Sequence, residues 1–207
     1  MKTHYFYTDL AMNNPLDNLK KYDIVLASGS PRRRELLAAL DVEFAVEVKQ
    51  GIDESYPAGM PPDEVPLYLS AQKARAYMAD ATERQLVITA DTVVIAGGSI
   101  MGKPHSAAEA RAMLRSLSGG RHHVVTGVTL LHGGHTTTFG ASSTVEFAPL
   151  SDGEIDYYVD RYRPLDKAGA YGIQEWIGCA AIRCIEGSFY NVMGLPVQRL
   201  YEELKKL

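Results

Sequence analysis

Ile24-Val25-Leu26-Ala27-Ser28-Gly29-Ser30-Pro31-Arg32-Arg33-Arg34-Glu35-Leu36-Leu37 is the stretch whose reading decides the fold. Four apolar residues are broken by three small ones, and Leu36, Leu37 and Leu40 then recur at helical spacing, so the segment reads as strand, tight turn, helix. Ser30 suits the N-cap, and Pro31 falls at the first helical position, where its missing N–H would have had no partner. Such a turn gathers backbone N–H groups and the positive end of a helix dipole at one spot, which makes an anion site. Arg32, Arg33 and Arg34 carry the wrong charge for that dipole, at about 0.3–1 kcal/mol each, and a bound phosphate would offset the cost. Three solvated arginines at an exposed helix start are the alternative. Neither a G-x-x-x-x-G-K P-loop nor a G-x-G-x-x-G dinucleotide fingerprint is present.

Downstream, Val42, Phe44, Val46 and Val48 alternate with polar or small residues, as in a half-buried strand. A loop from Gly51 to Pro62 leads into a helix expected over 63–79, with Lys73 in its middle. Leu86 to Ile95 is a β-branched run that reads as a strand buried on both faces, and Asp91 interrupts it. Ser106 with Glu109, and Ser151 with Glu154, have capping-box spacing. Between them, Val124–Leu131 and Thr136–Phe147 flank His132-Gly133-Gly134-His135 as a hairpin. A loop over 163–175, a strand near 180–185 and a terminal helix from Pro196 complete the chain. Strands and helices mix without strict alternation, which predicts an α/β fold with a mixed sheet.

The 207 residues, 46% of them hydrophobic, fit one globular unit or two closely joined lobes. A net charge of −4 argues against broad adsorption to a nucleic-acid polymer or an anionic membrane. No apolar run approaches a membrane span, and the N-terminus lacks a signal pattern, so a cytoplasmic protein is expected. Cys179 and Cys184 are too few for a disulfide scaffold and are expected to be structural. Residues 1–20 read as an N-terminal extension leading into a single domain over 21–207.

Asp91 is the most informative single residue. A carboxylate inside a buried strand costs several kcal/mol unless it is paired, hydrogen-bonded or metal-bound. It is a candidate general base or metal ligand, against the plainer reading of a strand-end cap. Lys73 and Lys103 are candidate phosphate partners, and Lys103 is held in a tight Gly102-Lys103-Pro104 loop. The doublet Asp53-Glu54 offers a second carboxylate near a divalent ion, with Asp53 the metal candidate, against the plainer reading of an acidic surface loop. In the irregular stretch from Asp166 to Gln174, the Gln174 amide has the donor and acceptor needed to read a base edge.

Together these motifs resemble the Maf family of nucleoside triphosphate pyrophosphatases. The resemblance runs from about Ile24 to the C-terminus and rests on LASGSPRRRELL at 26–37, ITADTVV at 88–94, GKP at 102–104, LSGGRHHVVTGV at 117–128, PLDKAGAYGIQ at 164–174 and EGSFYNVMGLPV at 186–197. It implies a twisted mixed sheet with flanking helices, two lobes around a cleft as in inosine triphosphate pyrophosphatases, a homodimer, and a divalent cation such as Mg²⁺ or Mn²⁺. It also implies cleavage of a nucleoside triphosphate between the α- and β-phosphates. By the same resemblance Asp91 is the proton acceptor; Arg32, Thr92 and Gln174 set substrate choice; and Ser28, Ser30, Arg33, Lys73 and Lys103 bind phosphate. Lys167 and the Tyr171–Gln174 pattern are similar to the branch acting on dTTP and UTP. Glu175-Trp176 departs from the small residues expected after Gln174. A nucleotide sensor without turnover and a phosphatase of small phosphate esters are the competing functions.

Overall fold

The computed structural model describes residues 14–207, and residues 1–13 of the expected extension lie outside the described residues. From Asn14 the chain packs onto the fold. A 3₁₀ turn at Asp17–Lys21 follows Leu16, and Leu16 and Leu19 are both buried in the core.

Strand β1 (Asp23–Leu26) enters helix α1 (Pro31–Ala38) through the small-residue turn, and the Ser30 Oγ caps the helix by accepting from Arg33 N. Strand β2 (Ala45–Val46) is shorter than the alternation over 42–48 suggests. It is a sheet edge paired only with the end of β1, so Val46 and Val48 stay exposed while Val42 and Phe44 pack partly on the core. Helix α2 (Val65–Met78), strand β3 (Gln85–Ala96) and strand β4 (Ser99–Met101) follow. Helix α3 (Ala107–Leu117) starts at Ser106, whose Oγ accepts from Glu109 N; the Glu109 carboxylate bonds His105 N, so only half of the expected box forms. The hairpin is long, with β5 (Arg121–His132) and β6 (His135–Phe147). Helix α4 (Asp152–Tyr162) carries the complete capping box of Ser151 and Glu154. Next come α5 (Trp176–Ala181), β7 (Ile182–Glu186), α6 (Phe189–Met193) and α7 (Val197–Leu204). The strand expected near 180–185 begins two residues late because α5 occupies its start.

Among the described residues seven strands form one mixed sheet in the order β2-β1-β3-β5-β6-β7, with β4 also on β3. The β1 pairings with β2 and β3 are parallel, and the other pairings are antiparallel. Successive strand residues point to opposite faces. On one face α2 covers Val87, Val93, Val125 and Leu131. On the other, Leu86, Ile88, Val128 and Leu130 pack with α1 and α7, while Val94 and Val124 pack with α3, α4 and α5. The face thus carries two hydrophobic clusters. β1 pairs with β3 only as far as Ile88, and β4 begins to pair at Val94, so the edge of β3 is open between them.

Both cysteines are free and exposed, on α5 and β7, so no disulfide joins them. No helix among the described residues is long and apolar enough to cross a membrane.

Candidate functional site

The open edge of β3 forms one wall of a cleft of about 980 Å³. Asp91 and Thr92 lie there and are only half-buried, unlike the residues on either side of them. Asp91 lies opposite Gly127 on β5. A Cβ on Gly127 would come within 2.3 Å of the Pro66 carbonyl oxygen, so glycine is what allows the first turn of α2 to rest on the sheet beside Asp91. Two turns further along that helix, Lys73 Nζ donates to Asp91 Oδ1 at 2.7 Å. The same ammonium lies 3.0 Å from Glu54 Oε1. Lys73 and Asp91 side chains are each 15% exposed, so their pairing is screened far less than a surface ion pair.

Of the doublet in the polar loop, Glu54 faces the cleft and Asp53 does not. Both Asp53 carboxylate oxygens fold back on Ser55, at 2.8 Å to its N–H and 2.8 Å to its hydroxyl. These local bonds hold the Asp53 carboxyl below its usual range and turn it away from Asp91. The second carboxylate beside Asp91 is therefore Glu54 rather than Asp53.

Ser28, Ser30, Arg32 and Arg33 bring the α1 turn into the same cleft. Arg33 is placed differently from a free phosphate ligand. Its Nε donates to Gly194 O at 2.8 Å, Nη1 to Ala90 O at 2.8 Å, and Nη2 to Thr92 Oγ1 at 3.0 Å. A longer contact of 3.4 Å joins Nη1 to Ser28 Oγ. The guanidinium thus fills the gap left by β1, holding the residues on both sides of Asp91. Desolvation lowers its pKa, and the charge of Asp91 opposes that shift. Thr92 is drawn into the same lattice, with its hydroxyl 3.0 Å from Thr126 Oγ1.

Lys103 is exposed on the rim, and no ion pair forms to it among the described residues, so its charge is available to a ligand. The preceding Gly102 carbonyl accepts from Gly169 N at 3.1 Å, which ties this loop to the 166–174 segment. That segment brings Lys167 and Gln174 into the cleft. Gln174 is exposed, whereas Lys167 is 8% exposed and paired with Asp166 at 2.8 Å and Glu175 at 3.0 Å. Arg32 reaches the same Asp166 at 3.2 Å. Burial pushes the Asp166 carboxyl up, but Lys167 and Arg32 outweigh it and hold the group below its ordinary value.

Of the residues singled out from sequence, Ser28, Ser30, Arg32, Arg33, Lys73, Asp91, Thr92, Lys103, Lys167 and Gln174 line one cleft, and Arg34 and Asp53 do not. Sequence reasoning missed Asp166, Glu175 and Tyr158 as partners of the segment. Glu175 carries a signal as a departure from the expected small residue; Tyr158 sits at an ordinary buried position of α4 and carries none.

A family model described as Maf-like protein matches residues 23–207. The dTTP/UTP pyrophosphatase of Porphyromonas gingivalis strain ATCC 33277 is 61% identical over 195 residues, covering 92% of this chain and 96% of that protein. The dTTP/UTP pyrophosphatase of Phocaeicola vulgatus is 55% identical, covering 93% of this chain and 100% of the relative. Among solved structures, the Staphylococcus aureus Ham1 protein matches with a TM-score of 0.46 and 16% identity, over 61% of this chain and 72% of that one. A family match that starts at β1 and runs to the last residue, joined to such identity over nearly the whole length, gives one assignment: this chain belongs to the Maf family.

Proposed function

We propose that this protein hydrolyses nucleoside triphosphates, dTTP and UTP foremost, to the monophosphate and pyrophosphate. One observation carries the reading: the α1 turn, Lys73, Lys103, Asp91 and Gln174 come from five separate chain segments and meet in a single cleft. The relatives quoted above are named dTTP/UTP pyrophosphatase, which favours those two nucleotides.

The chemistry follows from charge. A triphosphate carries several negative charges, and catalysis of its cleavage is mostly positioning and electrostatic stabilisation. Arg32, Lys73, Lys103 and the N-terminus of α1 supply positive potential along the cleft. Arg33 contributes indirectly, by holding Ala90 and Thr92 around the carboxylate that acts. Asp91 is that carboxylate, and it accepts the proton of the attacking water. Gln174 reads the base by donating and accepting at one edge.

The donor set fits a divalent cation of the Mg²⁺ or Mn²⁺ type. Asp91 and Glu54 share one ammonium and so stand close together, and hard cations take one or two carboxylates plus phosphate oxygens. Glu54 would hold the cation, leaving Asp91 to act as the base, and the cation would supply Lewis-acid stabilisation of the phosphate charge. The substrates are cytoplasmic metabolites, which makes the cytoplasm the expected compartment. The homodimer rests on the family resemblance, and light scattering of the full chain tests it.

The decisive assay measures pyrophosphate from a panel of nucleoside triphosphates with Mg²⁺ or Mn²⁺, at protein far below substrate. Release exceeding one equivalent excludes a sensor that only binds, and pyrophosphate rather than single phosphate excludes the ester phosphatase. Asp91→Asn should lower kcat by about 10²–10⁴-fold while nucleotide and metal affinity persist. Turnover near wild type rejects the assignment of Asp91, and equal loss of metal binding makes it a ligand instead of a base.

A further inference from the structure

The segment after Lys167 is held by a buried charge network that phosphate chemistry does not require. Lys167 Nζ lies 3.0 Å from Glu175 Oε1. The other oxygen of Glu175 accepts from the Tyr158 hydroxyl of α4. That phenol also accepts from Gly172 N at 3.0 Å. Burial, and next the bond to Glu175, raise the phenol pKa, so Tyr158 keeps the proton that it donates. The packing is close: a Cβ on Gly172 would sit 2.9 Å from both Glu175 Cδ and Lys167 Cε.

The geometry of the turn gives this network a purpose. Gly172 O accepts from Glu175 N at 3.0 Å, so residues 172–175 form a closed turn with Gln174 near its apex. Tyr158 is fully buried and the Glu175 side chain is 18% exposed, whereas Gln174 is exposed to the cleft. Both ends of the turn are thus anchored to α4 and Lys167, and the residue between them is left to the ligand. Through Asp166 the same chain of charges reaches Arg32 on α1, across the cleft.

We propose that Glu175 is a positioning residue for nucleobase choice: by binding Lys167 and Tyr158 at once it fixes the 172–175 turn, so that the Gln174 amide meets the base in one orientation. This rests on the pyrophosphatase reading above. A residue acting this way affects the contact made by the base and leaves the triphosphate grip intact. Removing one partner of a buried charged bond loosens the turn, and small misplacement of a positioning group is costly in recognition.

The test uses the full-length protein and two near-isosteric variants, Glu175→Gln and Tyr158→Phe. Steady-state kinetics are measured with dTTP and dATP, and inhibition is measured with inorganic tripolyphosphate, which has no base. Both variants are expected to raise KM for dTTP about tenfold, with a smaller change in kcat, and to lower the dTTP-to-dATP preference about tenfold. Tripolyphosphate inhibition should stay as in wild type. A preference kept within about twofold overturns the proposal. So does tripolyphosphate inhibition that weakens in step with dTTP, and so does the failure of both variants to fold, since Glu175 would then serve the fold alone. Wild-type protein that releases no pyrophosphate from any nucleoside triphosphate overturns the reading of the site itself.

Discussion

Replacing Arg33 by lysine separates two roles that one charge can play. The guanidinium makes three firm bonds, to Gly194 O and Ala90 O at 2.8 Å each and to Thr92 Oγ1 at 3.0 Å. Two of these acceptors lie on β3, on either side of Asp91, and the third lies at the end of α6. Lysine carries its donors on one nitrogen and cannot span the three sites, so it keeps one bond at best. Two charge-assisted bonds are then lost, at about 1.5–3 kcal/mol each. Water entering from the cleft restores part of this, which leaves a net cost of about 2–4 kcal/mol. In a chain of this length each kcal/mol moves Tm by about 2–4 °C, so Arg33→Lys should lower Tm by about 4–16 °C. Thermal unfolding followed by circular dichroism, alongside pyrophosphate release, reads both consequences. Activity should fall as well, because Ala90 and Thr92 flank Asp91. A direct phosphate ligand behaves otherwise: lysine keeps the charge, Tm holds, and only KM rises. A Tm within about 2 °C of wild type would refute the clamp.

Gly127→Ala should destabilise the protein by about 3 kcal/mol or more, because its Cβ would meet the Pro66 carbonyl at 2.3 Å; a urea midpoint unchanged from wild type would contradict that contact. Leu19→Ala should cost about 2–5 kcal/mol in urea unfolding, since Leu19 is 3% exposed and lies in the main core although it precedes the first strand. His122 is buried against Tyr171 and Phe147, and desolvation lowers its pKa from 6.5 to about 4, so it is neutral in the fold and binds a proton more readily when unfolded. Its contribution is therefore complete above about pH 6.5 and is lost as pH falls towards 4, by up to about 3 kcal/mol. Urea titrations at several pH values should show a shallower acid slope in His122→Phe than in wild type, and equal slopes would exclude this histidine as a source.

Much of the scaffold was legible because its cues are local. Small residues between Leu26 and Pro31 announce the turn, the β-branched run announces β3, and Ser151 with Glu154 announces α4. The alternation over 42–48 misled because period and propensity describe what a strand would bury, while β2 pairs only through Ala45 and Val46 at the sheet edge. The lead-in was opaque for a related reason. Leu16 and Leu19 show no periodicity, and only tertiary packing in the cluster with β1, α1, β3 and α7 makes them core.

The site divides along the same line. Asp91, Lys73 and Gln174 stand out by type or context, but which carboxylate joins Asp91 depended on a two-residue turn at Ser55, and spacing cannot distinguish Asp53 from Glu54. Arg33 shows the limit most clearly. Three consecutive arginines at a helix start read as one basic patch. The helix instead points them in different directions, so that Arg32 meets Asp166, Arg33 enters the sheet gap and Arg34 stays exposed. The gap itself exists because β1 pairs with only the first four residues of β3, leaving the Ala90 carbonyl at an open sheet edge. An unsatisfied carbonyl there would carry a desolvation cost, and Arg33 removes it while keeping the edge open at Asp91. The same missing strand that creates the cleft therefore creates the need for a clamp beside the reactive carboxylate.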